Sequence, residues 1–329
     1  MILKLQHKRV ERLYKGGARI DQLVGKGSGE DTLFSEDWIA SDVAPGISLT
    51  DGGEPLDQLL EREGERILGE NSVSTCGKRM PILAKLLDST QRLAIQVHPT
   101  VAFAREHFHS PFGKTECWYM LDVWEDSGVY LGFKPGITKA VWQACFEKQE
   151  GLLDWLHWIP VKKGDCLYIP GGMPHAIGAG CFLAELQEPT DLIVIPERLG
   201  PSGQPVPESR MHGGLGFEKM LDCFTYEGLT LQEVEARCVS RPRTLSPGLI
   251  RLIGEPETAP FFMDKWMTGH GDYLLNGRLR TGLVLEGSGM INGKEMAQGD
   301  LLLISADEVA LKASEGMTLL MFAPGDNKG

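Results

Sequence analysis

The chain has 329 residues, of which 42% are hydrophobic and 24% are charged, a composition typical of a globular protein long enough for two domains. Its formal net charge of −12 argues against nucleic acid or an anionic membrane as the main partner, because both carry negative charge. No segment reaches the apolar length of a membrane span.

The seven cysteines are scattered along the chain without a CxxC pair. This pattern is typical of reduced thiols and argues against a disulfide framework or a thiolate zinc site. The polar N-terminus MILKLQHKRVERLY lacks the apolar core of a signal peptide. We therefore expect a cytoplasmic protein.

Forty glycines and nineteen prolines separate short apolar runs, which favours a mainly β structure. In chain order, the periodicity predicts a strand at 36–41, an amphipathic helix at 55–69, a strand at 93–98 (LAIQVH), helix or loop at 100–113, and strands at 116–122 and 129–133. Residues 138–157 have a helical pattern, which predicts a helical insertion at about 137–158.

The second half of the chain resumes the strand pattern. The segment IPVKKGDCLYIPGGMPHAIGAGCFLAELQ has the rhythm of a small barrel, with short strands between glycine turns. A loop at 200–212 and two short helices, GFEKMLDCF and LQEVEARC, precede a section in which MINGKEMAQGDLLLIS repeats the rhythm of VKKGDCLYIP. We predict one domain at 1–240 and a second barrel at 241–329.

Side chains that ligate metals fall in three separate segments. Gln96 and His98 share one face of the predicted strand because strand side chains alternate. Glu116 opens the next strand, and His175 follows the turn PGGMP. Imidazole, carboxylate and amide donors together suit a divalent ion with an open coordination position, so the residues predict a catalytic metal site.

Several blocks resemble the type I mannose-6-phosphate isomerases of the cupin superfamily. They are PILAKLLD at 81–88, QVHP at 96–99, GKTECWY at 113–119, GDCLYIPGGMPHAIG at 164–178 and AELQEPTD at 184–191. The resemblance runs from about residue 15 to 200 and is weaker beyond. It implies two cupin (jelly-roll) β-barrels and interconversion of mannose 6-phosphate and fructose 6-phosphate through a cis-enediol. It also implies one Zn²⁺ per chain, with Gln96, His98, Glu116 and His175 as ligands.

The resemblance also implies roles for four other side chains. Lys85 and Lys114 would supply positive charge for a phosphorylated sugar, which an acidic protein needs locally. Glu185 and Asp191 match acidic positions that line the family's pocket. Glu185 and a lysine, including Lys114, are the candidate bases, while Lys85, Lys114 and Asp191 are the candidate substrate contacts.

One position departs from the family pattern. The family carries a catalytic arginine four residues after the aspartate of the EPTD block, and this chain has Ile195 there. An apolar side chain cannot stabilise a developing negative charge. Arg198, three residues later, is therefore the candidate for the arginine's catalytic role.

Two other functions are compatible with the same residues. Two histidines and a carboxylate could hold Fe²⁺ in a cupin oxygenase, and the departure at Ile195 is compatible with a protein that binds sugar phosphates without turnover. His270 is the only histidine in the C-terminal section of the sequence. We therefore predict a metal-free barrel that shields or stabilises the catalytic one. The predicted partner is a small phosphorylated sugar, and the chain is expected to be a monomer or homodimer.

Overall fold

The computed structural model describes residues 1–325. Its helices are α1 (Ala18–Val24), α2 (Leu56–Leu68), α3 (Glu70–Cys76), α4 (Val101–Phe103), α5 (Lys139–Lys148), α6 (Glu208–His212), α7 (Phe217–Met220) and α8 (Leu231–Cys238). A π-helical turn at Ala104–Phe108 continues α4, and 3₁₀ turns lie at Leu153–Trp155 and Leu221–Cys223. Among these residues, no helix has the length and apolar character needed to cross a membrane.

The strands of the N-terminal part are β1 (Ile2–Leu5), β2 (Arg9–Val10), β3 (Glu36–Ile39), β4 (Leu83–Asp88), β5 (Glu116–Val123), β6 (Gly128–Phe133), β7 (Leu156–Pro160), β8 (Cys166–Ile169), β9 (His175–Ile177) and β10 (Cys181–Gln187). Those of the C-terminal part are β11 (Arg243–Ser246), β12 (Leu249–Ile253), β13 (Phe261–Met267), β14 (Tyr273–Leu274), β15 (Arg280–Glu286), β16 (Ser288–Ile291), β17 (Lys294–Ala297), β18 (Leu301–Ile304), β19 (Ala310–Leu311) and β20 (Thr318–Pro324).

These strands form two large sheets and three small ones. The N-terminal part has a six-stranded sheet in the order β2-β3-β4-β10-β5-β8, and the three-stranded sheet β7-β6-β9. The C-terminal part has a seven-stranded sheet in the order β1-β18-β15-β20-β13-β12-β11, with the pairs β14-β19 and β16-β17. The predicted mainly β architecture is confirmed.

Strand alternation explains how the two large sheets pack together. Along β5, Cys117 and Tyr119 point to one face, while Trp118 and Met120 point to the other and pack with the three-stranded sheet. The first face belongs to a core shared by both large sheets and by α2. From the C-terminal sheet, this core takes Met263, Leu283, Leu301, Leu303, Leu320 and Phe322.

The first strand crosses the predicted domain division. Residues Ile2–Leu5 pair antiparallel with Leu301–Ile304 and so extend the C-terminal sheet. Apart from this strand, the predicted domain boundary between residues 240 and 241 stays a prediction. Residues 326–329 of the second predicted domain lie outside the described part.

Three predicted elements differ from the structure. The loop predicted at 200–212 contains the short helix α6. The segment LAIQVH is not a regular strand: only isolated bridges form, between Gln96 and His175 and between Val97 and Val194. Its alternation suited a strand, but no continuous partner strand runs beside it. The helical insertion ends earlier than predicted, since α5 stops at Lys148 and 156–160 form β7.

Candidate active site

The central strands of the six-stranded sheet carry polar side chains in one row. In register, Lys85 of β4 lies opposite Glu185 of β10, and Glu185 lies opposite Trp118 of β5. Glu116 precedes Trp118 by two residues and so shares its face. Polar groups in such buried strands need partners, and here they are one another's partners.

A possible metal site forms where β5 meets β9. His98, Glu116 and His175 are all buried, and one ligand atom from each lies within 4.8 Å of the others. The Nε2 atom of His98 is 3.0 Å from Glu116 Oε1, and the Nε2 atom of His175 is 3.7 Å from Glu116 Oε2. The tertiary structure thus brings together three of the four predicted ligands, from segments up to 77 residues apart along the numbering.

The second ring nitrogen of each histidine fixes which atom faces this centre. His98 Nδ1 donates to the Leu192 carbonyl at 2.8 Å, and His175 Nδ1 donates to the Met173 carbonyl at 2.9 Å. The Nε2 lone pairs therefore point toward the Glu116 carboxylate. Burial lowers the pKa of both histidines, that of His175 to about 3, so both rings are neutral.

Lone pairs and a carboxylate that converge in this way repel one another unless cations lie among them, and of these atoms the Lys114 ammonium contacts only His98 Nε2 and Glu116 Oε1. Glu116 Oε2 and His175 Nε2 have no hydrogen-bond partner in the described part of the chain. Neutral imidazoles and an ionised carboxylate are the ligands that divalent metals such as zinc take in open sites. The donor set therefore fits a metal ion.

Lys114 and Gln96 connect this group to the substrate side. Lys114 Nζ is 2.8 Å from His98 Nε2 and 2.5 Å from Glu116 Oε1, and its side chain also lines a neighbouring cavity. Gln96 lines the same cavity, and its backbone exchanges two 2.9 Å hydrogen bonds with His175. The role of Gln96 as fourth ligand stays a prediction.

The cavity has a volume of about 310 Å³, which suits a small metabolite. Predicted residues Lys85, Lys114, Glu185 and Asp191 all line it. Lys85 Nζ is 3.1 Å from Glu185 and 3.6 Å from Asp191. The structure therefore gathers the four predicted pocket residues around one space.

Charge pairing sets the protonation of these groups. Burial alone would lower the pKa of Lys85, but Glu185, Glu36 and Asp191 raise it above its usual range. Lys85 is therefore a fixed cation. Burial, reinforced by Glu116, raises the pKa of Glu185, whose Oε2 accepts a 3.1 Å hydrogen bond from Trp118 Nε1.

Sequence reasoning missed two residues of this network, Arg12 and Glu36. Arg12 donates to both carboxylate oxygens of Asp191 at 3.1 and 3.2 Å, and its Nε is 2.8 Å from Glu36. Alternation within the predicted strand at 36–41 could have placed Glu36 on the face of Trp38, whose Nε1 donates to it at 2.8 Å. Arg12 lies outside any regular element, so no periodic signal pointed to it.

The structure shows where Ile195 and the two nearby arginines lie relative to this cavity. Ile195 is buried and lines the cavity, so the family's arginine position faces the site with an apolar side chain. Arg198 does not line the cavity; its guanidinium lies 5.0 Å from the Phe146 ring and 5.3 Å from the Phe217 ring. Arg210 of α6 does line it, and sequence reasoning did not single it out.

The sequence is similar to a described protein family and to several named proteins. The family described as phosphomannose isomerase type I, catalytic domain, matches residues 15–119. The protein named probable mannose-6-phosphate isomerase GmuF, from Bacillus subtilis, is 30% identical over 292 residues, covering 85% of this chain and 84% of that protein. The mannose-6-phosphate isomerase of Streptococcus mutans is 35% identical over 183 residues, and this match spans 54% of each protein.

Solved structures with the same fold cover nearly the whole chain. The mannose 6-phosphate isomerase of Bacillus subtilis has a TM-score of 0.78 at 23% identity, covering 98% of this chain and 99% of that one. A phosphomannose isomerase mutant from Salmonella typhimurium has a TM-score of 0.76 at 15% identity, covering 99% and 100%. The predicted cupin fold is confirmed by these likenesses.

Proposed function

Because this chain belongs to the mannose-6-phosphate isomerase family, we propose that it is a zinc-dependent isomerase that interconverts mannose 6-phosphate and fructose 6-phosphate. The observation that carries this proposal is the buried group of His98, Glu116 and His175 beside a cavity lined by Lys85 and Glu185. That combination joins a metal site to a cationic, carboxylate-bearing pocket of metabolite size. The working compartment proposed is the cytoplasm.

The proposed metal ligands are Gln96, His98, Glu116 and His175. Zinc bound there would act as a Lewis acid that polarises the oxygens on the two sugar carbons between which the proton moves. Neutral imidazoles held by backbone carbonyls provide the preorganised ligands that such a site needs.

The reaction moves a proton between C1 and C2 of the sugar through a cis-enediol. Glu185 is the favoured base, because burial raises the pKa of its carboxyl toward the working pH. Lys85 is unsuited to this role because three carboxylates keep it charged. It would orient Glu185 and stabilise negative charge, and Lys114 remains the candidate for a second proton-handling group.

The phosphate group requires a cation that is not already neutralised. Arg12, Lys85 and Lys114 line the cavity but are each paired with carboxylates. Arg210 is exposed at the same cavity and makes no ion pair with residues 1–325. We therefore assign phosphate binding to Arg210, because arginine forks match phosphate oxygens. The catalytic role predicted for Arg198 stays a prediction.

A coupled assay tests the activity directly. Purified protein loaded with zinc should form fructose 6-phosphate from mannose 6-phosphate and should leave unphosphorylated mannose nearly unchanged. Metal analysis should give about one zinc per chain by the open-site ligand count.

Two outcomes would overturn the isomerase assignment. Binding of mannose 6-phosphate without turnover would favour the sugar-phosphate binder, the reading motivated by Ile195 in the cavity wall. Oxygen consumption coupled to product formation by iron-loaded protein would favour an oxygenase.

A further inference from the structure

The C-terminal barrel contains a second cavity, which the isomerase reaction does not use. Its volume is also about 310 Å³, and it shares no lining residue with the catalytic cavity. Its walls come from β11 to β15, and include the side chains of Arg251, Phe262, Asp264, Tyr273 and Arg280. The cavity opens to solvent past exposed side chains such as Leu245 and Leu274, yet Arg280 in its wall is almost wholly buried.

An ion pair between the partly buried Arg251 and the buried Asp264 forms one wall of this cavity. Arg251 lies opposite Asp264 across β12 and β13. Arg251 donates to both Asp264 oxygens, from Nε to Oδ1 and from Nη2 to Oδ2 at 3.3 Å, and Tyr273 Oη donates to Oδ2 at 2.8 Å. Burial, reinforced by Asp264, raises the pKa of Tyr273, so the phenol keeps its proton. Asp264 is therefore saturated, and its charge is already balanced by Arg251.

Arg280 adds a second positive charge that has no ion-pair partner of its own among the described residues. Its side chain is 3% exposed, and no carboxylate within residues 1–325 pairs with it. Its Nη1 donates to the backbone carbonyls of Leu279 and Arg278 at 3.0 and 3.3 Å, and Nε reaches Tyr273 Oη at 3.4 Å. A guanidinium stays charged at all relevant pH values, and burying such a charge without an opposite charge is costly.

One aromatic ring holds both cations at the cavity. The guanidinium carbon of Arg251 is 3.9 Å from the centroid of Phe262, and that of Arg280 is 4.8 Å from the same centroid. Contacts of this kind are favourable and orient the planar groups. The carboxylates that also line the cavity, Glu255 and Asp272, are exposed to solvent, which screens them more strongly than the buried Arg280.

From these contacts we infer that the C-terminal barrel binds a small organic anion, with its carboxylate or phosphate held by Arg280 and Arg251. The anion supplies the negative charge that is missing beside Arg280. Arg251 already binds Asp264 through Nε and Nη2, so it contributes its Nη1 group to the anion. Apolar side chains at the same cavity, Leu249 and Leu274, would cover a short carbon skeleton. A volume of about 310 Å³ limits the ligand to a small metabolite.

Calorimetric titration tests this site with two probes, inorganic phosphate and malonate. Arg280→Met removes the charge, and Arg280→Lys keeps the charge but removes the fork. The matched control is Arg243→Met, since Arg243 belongs to β11 and pairs with Glu257 but does not line the cavity. Anion binding in the catalytic cavity is common to all the proteins, so only differences between them report on the second site.

We expect Arg280→Met to weaken binding of at least one probe by about tenfold or more, as loss of a charged hydrogen bond implies. Arg280→Lys should weaken it less, and Arg243→Met should bind as the wild type does. Circular dichroism and thermal unfolding without anion check that the variants fold. If Arg280→Met does not fold, the affinity of Arg280→Lys tests the site. Wild-type affinity in both Arg280 variants, or no binding by the wild type at millimolar anion, would refute the site.

Discussion

At the scale of single residues, the metal group rests on the orientation of two histidine rings. Backbone carbonyls hold His98 and His175 with Nε2 toward Glu116. The sequence predicted these residues as candidate ligands, because short blocks around them resemble the family's blocks. It could not show that Lys114 Nζ also contacts both His98 and Glu116, since that contact depends on side-chain conformations.

Replacing either histidine tests the metal assignment. His98→Ala or His175→Ala should reduce bound zinc from about one per chain to near zero, because a site with three strong ligands loses most of its affinity with one of them. Plasma emission spectrometry on the purified proteins measures this. His270→Ala is the control, since His270 is exposed, and full zinc content in the His98 or His175 variants would contradict the assignment.

Acid sensitivity follows from His175. Its pKa is about 3 in the metal-free folded protein because burial disfavours the charged ring, and an unfolded chain has a histidine pKa of about 6.5. Below pH 6.5 the unfolded chain therefore binds a proton that the folded chain rejects. The free energy of unfolding should fall as pH drops from about 6.5 to 5, by up to about 1.4 kcal/mol per pH unit.

Thermal unfolding of metal-free protein between pH 5 and 7 measures that slope. His175→Gln removes the titrating ring and should flatten the slope relative to the wild type. An equal slope in both proteins would show that other groups cause the acid sensitivity.

Arg210 is the residue that decides the phosphate assignment. Arg210→Ala should raise the KM for mannose 6-phosphate by about 10- to 100-fold, the loss expected for a charged hydrogen bond. Arg210→Lys should recover part of this loss because it restores the charge. Arg241→Ala, which removes another exposed arginine that lines a different cavity, is the control. An unchanged KM in Arg210→Ala would show that another residue binds the phosphate group.

At the scale of elements, hydrophobic periodicity predicted the helices and strands whose pattern is complete within their own segment. The amphipathic helix at 55–69 is α2, with Leu56, Leu60 and Ile67 fully buried. The segment at 93–98 shows the limit of this method. It has strand alternation, but a strand also needs a continuous neighbour, and the chain supplies only single bridges there.

The N-terminus of α8 carries a capping box whose contribution to stability can be measured. Thr230 and Glu233 form a capping box, in which each side chain bonds the other's backbone. Thr230→Ala should lower the free energy of unfolding by about 1 kcal/mol. Urea unfolding measures the change, and Gln232→Ala on the same exposed turn should leave stability nearly unchanged. Equal losses in the two variants would argue against the cap.

At the scale of the whole molecule, the two large sheets share one apolar core. Phe322 is fully buried there and lies opposite Met263 and Thr281 in its sheet. The strand β1 links the start of the chain to the same sheet. We therefore expect the two barrels to unfold together.

Phe322→Ala tests this coupling. Loss of the ring from a packed core should cost about 3–5 kcal/mol. In urea, the far-UV signal and metal release should shift to the same lower midpoint, although Phe322 belongs to the C-terminal sheet. Val309→Ala is the control because Val309 is 78% exposed. Metal release that keeps the wild-type midpoint would show that the barrels unfold independently.

The sequence by itself determined the candidate metal ligands, the mainly β character and four of the residues that line the cavity, because these are carried by short contiguous blocks and by local periodicity. Only the tertiary structure decided which charges meet. Arg12 binds Asp191 across 179 positions of the chain, Ile195 and Arg210 line one cavity while Arg198 stays outside it, and Arg280 comes to lie beside Arg251 and Phe262. Sheet register and side-chain packing set these contacts, and neither is encoded in any single segment.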